Sequence, residues 1–157
     1  YESGLIGNTT GGGQEQNSYF QHEFEGYVAG TMLTFPLADF MSARVGGSVI
    51  ENTNAPEGFA RGSIIYGEAV LGFGRYEFKP YYTTFFNESD TSPAYYNRGK
   101  LGHNNREGEI VGMKVHFKDY NFQLIAEMGR AQTINDNLNQ GELRTYLFKV
   151  ETTYASF

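Results

Sequence analysis

The chain has 157 residues, enough for one domain with a substantial core but not comfortably for two. It contains no cysteine, which excludes disulfides and thiolate metal sites, and its net charge of −6 argues against a nucleic-acid partner, because phosphate contacts need a basic face. Tyr (12), Phe (13) and Gly (20) are abundant, a mix that favours strands and turns, and no apolar run reaches the roughly 18 residues of a membrane-spanning helix.

Seven stretches alternate between apolar and polar residues with the period of two that is typical of strands. Each is close to the ~9–11 residues that a tilted strand needs to cross a bilayer. The first, about residues 22–35, has two faces of ambiguous character. The apolar faces of the next three are Met41, Ala43, Val45, Gly47 and Val49; Ile65, Gly67, Ala69, Leu71 and Phe73; and Phe78, Pro80, Tyr82, Thr84 and Phe86. Those of the last three are Val111, Met113, Val115 and Phe117; Tyr120, Phe122, Leu124, Ala126 and Met128; and Tyr146, Phe148, Val150, Thr152 and Tyr154.

The predicted connections alternate between short and long. Residues 36–39, 74–76 and 118–121 form the short ones, and the polar stretches 51–62, 87–108 and 132–142 form the long ones. Tight turns at one end and long loops at the other are typical of outer-membrane barrels. The sequence therefore predicts an all-β chain, a single antiparallel transmembrane β-barrel domain over residues 1–157 with short periplasmic turns and long external loops. A soluble up-and-down barrel or a β-sandwich shows the same alternation and stays open as an alternative.

The C-terminal segment Tyr146–Phe157, YLFKVETTYASF, resembles the last strand of bacterial outer-membrane porins. That family commonly ends in an aromatic residue, usually Phe, which the barrel-assembly machinery recognises. Phe157 is out of phase with the apolar face that begins at Tyr146, so either a bulge shifts the register or this ending is not the recognition signal. The resemblance implies a bacterial outer-membrane location, with lipid, lipopolysaccharide and the assembly machinery as partners; a homo-oligomer stays open.

The strand count depends on the N-terminal segment. If both termini are periplasmic, an even-stranded barrel needs one strand before residue 22, and residues 1–10 (YESGLIGNTT) could form its outer part, with 11–18 as its loop. Two architectures fit: a small eight-stranded barrel, or the C-terminal part of a larger porin barrel.

Nine charged or titratable side chains alternate onto the polar faces and are the candidate pore-lining residues. They are Arg44, Glu68, Glu77, Lys79, Lys114, His116, Glu127, Lys149 and Glu151. In a wide barrel these residues would line a wet lumen and set ion preference. In a narrow barrel they would neutralise one another in buried pairs, because an unpaired buried charge is very costly. Lys114 with Glu127 is the kind of cross-strand pair expected, since one tight turn joins their strands.

The longest loop, residues 87–108, is polar. In many porins one long loop folds into the lumen and narrows it, and the candidates for such a constriction here are Tyr95, Tyr96, Arg98, Lys100 and His103. The alternative is a surface loop in solvent.

No catalytic residue is predicted, because His116 falls near the periplasmic turn and His103 has no carboxylate fixed near it in the sequence. Three scattered histidines do not form a metal site, and no cofactor is predicted. We therefore expect a protein that is not an enzyme but a porin, which allows passive diffusion of small hydrophilic solutes or ions. A small eight-stranded barrel without a channel, acting through its loops in adhesion or membrane integrity, is the first alternative. A soluble ligand-binding barrel is the second.

Overall fold

A computed structural model of the chain describes residues 10–11, 19–20, 22–92, 104–135 and 140–152. Seven long strands of 10 to 13 residues dominate it. They are β3 (Gly26–Ala38), β4 (Met41–Asn52), β5 (Arg61–Phe73), β6 (Tyr76–Asn87), β7 (Arg106–Phe117), β8 (Phe122–Thr133) and β9 (Leu143–Thr152). Two short strands, β1 (Thr10–Gly11) and β2 (Tyr19–Phe20), precede them, and Lys118–Tyr120 forms a 3-10 turn. Within the described ranges no helix has the length and apolar character to cross a membrane.

The seven long strands form one antiparallel sheet in which every strand pairs with its neighbours in sequence. The prediction of an all-β chain with seven antiparallel strands is confirmed. β1 and β2 pair with each other in a separate two-stranded sheet, through Thr10 with Phe20 and Gly11 with Tyr19. Residues 1–9, most of the expected additional strand, lie outside the described residues.

The connections differ in length at the two ends of the sheet. Asp39–Phe40, Gly74–Arg75 and 118–121 close the short-turn end, while residues 53–60, 88–105 and 134–142 connect strands at the long-loop end. Gly74 (φ 58°) and Asn121 (φ 49°) adopt the left-handed conformation that these two residue types enter most readily.

The predicted turn over residues 36–39 is wrong in its position. β3 continues through Pro36 to Ala38, with Pro36 opposite Ser42 and a bulge before Ala38, so the turn is Asp39–Phe40. Proline is tolerated at the edge of a sheet or at a bulge, because its missing N–H then costs no ladder hydrogen bond, and both conditions hold at Pro36 in the described sheet.

The continuous register gives the sheet two chemically different faces. One row of the apolar face crosses all seven strands: Leu33, Val45, Gly67, Tyr82, Val111, Met128 and Tyr146. The corresponding row of the polar face is Thr34, Arg44, Glu68, Tyr81, Gly112, Glu127 and Leu147. The faces of β3, ambiguous in the sequence, are thereby assigned, with Leu33 and Phe35 on the apolar one.

The apolar face is not covered by the rest of the described chain. Its large side chains are exposed, up to 72% for Phe148 and 76% for Tyr146. The buried hydrophobic residues of the described ranges are only Ala60, Tyr81, Ile125 and Ala131. A contiguous apolar surface of this extent is uncommon on a monomeric soluble protein.

Aromatic rings border the apolar face at the short-turn end. Phe117 stacks on Phe122 with ring centroids 4.2 Å apart, and Tyr76 meets Phe117 edge-on at 5.4 Å. The row continues toward β4 with Phe73 and Phe40, whose ring centroids lie 6.3 Å apart. Tyrosine hydroxyls on this face donate to carboxylates: Tyr27, at the long-loop end, to Glu51 at 2.5 Å, and Tyr82, in the middle of β6, to Glu109 at 2.8 Å.

Candidate functional site

All nine charged residues singled out in the sequence lie on the polar face. Strand pairing places Arg44 opposite Glu68, Glu77 opposite His116, and Lys79 opposite Lys114. Glu127 shares the row of Arg44 and Glu68, while Lys149 and Glu151 follow on the neighbouring strand β9. The polar face therefore brings these side chains together over six of the seven strands.

Glu68 is the centre of the largest cluster. Its side chain is only 2% exposed. Arg44 Nη1 lies 3.3 Å from one carboxylate oxygen, and Lys114 Nζ lies 3.1 Å from the other. The hydroxyl of Tyr66 also donates to Glu68, at 2.6 Å. One buried carboxylate therefore holds two cations, which leaves a formal surplus of one positive charge.

Tyr81 of β6 lies between the two strands that this ion pair joins. Its hydroxyl donates to Glu127 on β8, and its ring lies 4.6 Å from the ammonium nitrogen of Lys114, a distance suited to a cation–π contact. The ring crosses Gly112 of β7, where a Cβ atom would come within 2.6 Å of Tyr81 Cε1. Only glycine at position 112 lets Tyr81 reach Glu127 along this path.

The expected pairing of Lys114 with Glu127 is wrong. Gly112, not Lys114, stands opposite Glu127, and the hydroxyl of Tyr81 reaches that carboxylate across the glycine. Lys114 extends over the Tyr81 ring in the other direction and binds Glu68, two strands away.

A second cluster surrounds Glu77 near the short-turn end. Lys79 Nζ approaches its carboxylate at 2.8 Å, Lys118 Nζ at 3.3 Å and His116 Nδ1 at 3.4 Å. On the far side of β8, Glu151 accepts hydrogen bonds from Lys149 and from Gln123. Like-charged neighbours such as Lys79 and Lys114 are thus neutralised by separate carboxylates.

The polar face is concave. Residues from β3 to β8 line a single open concavity of about 740 Å³, among them Gly30, Arg44, Tyr66, Lys79 and Gln123. The side chains of Arg44 and Lys149 remain 46% and 52% exposed. Charge on this face is therefore accessible from the concave side.

The longest connection, 88–105, is anchored at both of its described ends on the polar face. Asn52 and Asn87 carry polar-face side chains; Asn52 donates to the carbonyl of Asp90 at 2.7 Å, and Asn87 donates to the side chain of Asn104 at 2.6 Å. Asn104 is fully buried and donates to the carbonyl of Ser89 at 2.9 Å. The constriction candidates Tyr95, Tyr96, Arg98, Lys100 and His103 lie outside the described residues.

Sequence reasoning missed Tyr66, Tyr81 and the anchoring asparagines. Each tyrosine stands opposite a glycine of a neighbouring strand: Tyr66 of β5 opposite Gly46 of β4, and Tyr81 of β6 opposite Gly112 of β7. A tyrosine facing a cross-strand glycine is a usable signal, but only once the register is known.

Within the described ranges, no group of three or more His, Asp or Glu side chains is arranged to hold a metal ion. Comparison of the chain with protein-family models, with curated proteins and with solved structures gave no match.

Proposed function

We propose that the seven-stranded sheet is part of the wall of an outer-membrane β-barrel, and that the protein is a porin through which small hydrophilic solutes or ions diffuse passively. The observation that carries this proposal is the segregation of the two faces. One face presents contiguous exposed apolar side chains, and the other carries nine charged or titratable residues, four of which line a concavity. Lipid on one side and water on the other is the environment that fits both faces.

The dimensions of the apolar face suit a bilayer. Along β5 it runs from Phe73 to Ile65, which is ~27 Å at about 3.4 Å per residue and, with the tilt of barrel strands, comes near the ~25 Å band of outer-membrane barrels. The aromatic row at the short-turn end and Tyr27 at the long-loop end stand where aromatic side chains mark membrane interfaces.

The polar face suits a hydrated lumen. On the described sheet the side chains of Arg44 and Lys149 are about half exposed, so water can reach both cations from this face. The described ends of the longest connection are hydrogen-bonded to this face, through Asn52 with Asp90 and Asn87 with Asn104. We propose a non-enzymatic, conducting role on this basis.

The ion-pair clusters favour one alternative. In a narrow eight-stranded barrel, side chains fill the interior and charges must be neutralised in pairs, as Glu68 and Glu77 are. A barrel filled in this way would not conduct and would act through its loops, in adhesion or membrane integrity.

Conductance of the full chain in a planar bilayer separates the two functions. For a pore, we expect stepwise conductance, and Lys149→Glu should move the reversal potential under a salt gradient toward cation preference, most clearly at low salt where screening is weak. Arg61→Glu is the matched control, because it changes the charge by the same amount on the apolar face, away from the proposed lumen. Folding is checked by circular dichroism and by heat-modifiable gel mobility. Folded protein without conductance would contradict the porin and favour the filled barrel.

A further inference from the structure

A separate group of charged residues lies on the apolar face, toward the long-loop end of β7 to β9. Glu109, Arg130 and Arg144 are direct neighbours in one row. The next row toward the short turns is hydrophobic and consists of Tyr82, Val111, Met128 and Tyr146. Together these residues line an indentation of about 490 Å³.

Two arginines directly opposite each other are electrostatically unfavourable, because like charges at paired positions repel. A single carboxylate oxygen of Glu142 accepts from the Nε of Arg144 at 2.8 Å and from that of Arg130 at 3.1 Å. Arg144, and secondarily Arg130, hold the pKa of the Glu142 carboxyl below its usual value. With Glu109, which stands directly opposite Arg130, the cluster holds two arginines and two carboxylates and is formally neutral.

Both guanidiniums remain open to a ligand. The side chains of Arg130 and Arg144 are 58% and 61% exposed even with Glu142 bound. The carboxylate of Glu109, the nearest additional acid in the row, accepts the hydroxyl of Tyr82. Glu142 takes only the Nε of each arginine, so the Nη groups of both guanidiniums can bind a further anion without losing Glu142.

The hydrophobic row forms a slot beneath the arginines. Val111 and Met128 are its floor, each about half exposed, and Tyr82 and Tyr146 stand on either side. Along the strands the slot continues onto Met113 and Phe148, two further exposed residues of the same face. An anion held by the arginines could thus carry an acyl chain that covers this surface.

We propose that this indentation binds an anionic phospholipid, with the phosphate on Arg130 and Arg144 and an acyl chain on Val111 and Met128. Guanidinium groups bind phosphate through paired, charge-assisted hydrogen bonds, which explains arginine rather than lysine at both positions. The inference rests on the proposed function only in that the apolar face meets lipid.

Binding is tested on the full chain in a non-ionic detergent by native mass spectrometry. The probes are a short-chain phosphatidic acid, a phosphatidylcholine with the same chains, and inorganic phosphate. We expect the chain to prefer phosphatidic acid by roughly tenfold, as charge-assisted hydrogen bonds imply. Arg130→Gln with Arg144→Gln should abolish the preference, and Arg61→Gln, an equally exposed arginine of the same face, should retain it.

A double glutamine variant that keeps the preference would overturn the site. If inorganic phosphate binds at the same concentration as phosphatidic acid, the acyl chain contributes nothing and the site is not a lipid site. Lysine at both positions retains charge without the paired geometry, so an intermediate preference is expected from a variant that keeps the fold. Absence of conductance combined with an intact lipid preference would reject the pore and leave this inference standing.

Discussion

Tyr81 and Gly112 are interdependent: the tyrosine ring lies where a side chain at position 112 would be. Gly112→Ala should displace the ring, break its hydrogen bond to Glu127 and lower the free energy of unfolding by ~1–3 kcal/mol. Tyr81→Phe removes the same hydrogen bond, so the two changes together should cost less than their sum. The measurement is urea unfolding in detergent. Gly67→Ala is the control, because a Cβ there meets nothing within 4 Å, and additive effects would contradict the coupling.

Val115→Arg tests whether the apolar face meets lipid. Val115 stands between Phe78 and Leu124 in the middle of hydrophobic neighbours. The cost of an arginine on the outer face of a membrane barrel falls from roughly 2–4 kcal/mol at the midplane to ~1 kcal/mol or less at an interface, and Val115 lies two residues from the aromatic row at Phe117, so we expect a loss of about 1–2 kcal/mol. Lys149→Gln, a change at a half-exposed position of the polar face, should cost less than ~1 kcal/mol. Unfolding is measured in lipid vesicles; an equal loss for both variants, or a parent that stays monodisperse without detergent, would argue against the membrane assignment.

Glu68→Gln removes the carboxylate that holds Arg44 and Lys114. Both cations then face the lumen without their acid, so the reversal potential of a pore should move toward anion preference. Stability should fall by about 1–3 kcal/mol, because the cations are partly hydrated and the amide can still accept from Tyr66. Glu151→Gln is the matched exposed acid and should change stability by less than ~1 kcal/mol. Selectivity unchanged by Glu68→Gln would mean that the cluster does not face the permeation path.

Asn104→Ala tests the anchoring of the longest connection. The buried amide links Asn87 to the carbonyl of Ser89, so its loss leaves buried polar groups without a partner and should cost ~1–3 kcal/mol. Residues 88–105 should then be cleaved faster in limited proteolysis. Asn54→Ala, at an exposed asparagine, is the control. If the two variants are cleaved at the same rate, Asn104 does not anchor the connection.

The faces of the strands could be read from the sequence because strand alternation is local. Val111, Met113 and Val115 share a face wherever β7 pairs. The partner of Lys114 could not be predicted in this way, since it depends on the register of three strands and on Tyr81 filling the space beside Gly112. The turn was predicted too early in the chain because a proline such as Pro36 usually interrupts a strand. Here Pro36 lies on an edge strand beside a bulge, where proline is tolerated, so the strand continues to Ala38.

The one-after-another strand order has a consequence for how the sheet is assembled. Because every strand pairs with its sequence neighbours, no strand must be threaded between two that are already paired. The tight turns make β3–β4, β5–β6 and β7–β8 three hairpins that can each form locally, with little loop-closure entropy. Six of the seven strands can therefore join the sheet as whole hairpins, and β9 joins as a single strand. A defect in one tight turn, such as replacing Gly74 by a β-branched residue, should stall growth at that hairpin while leaving the others able to form.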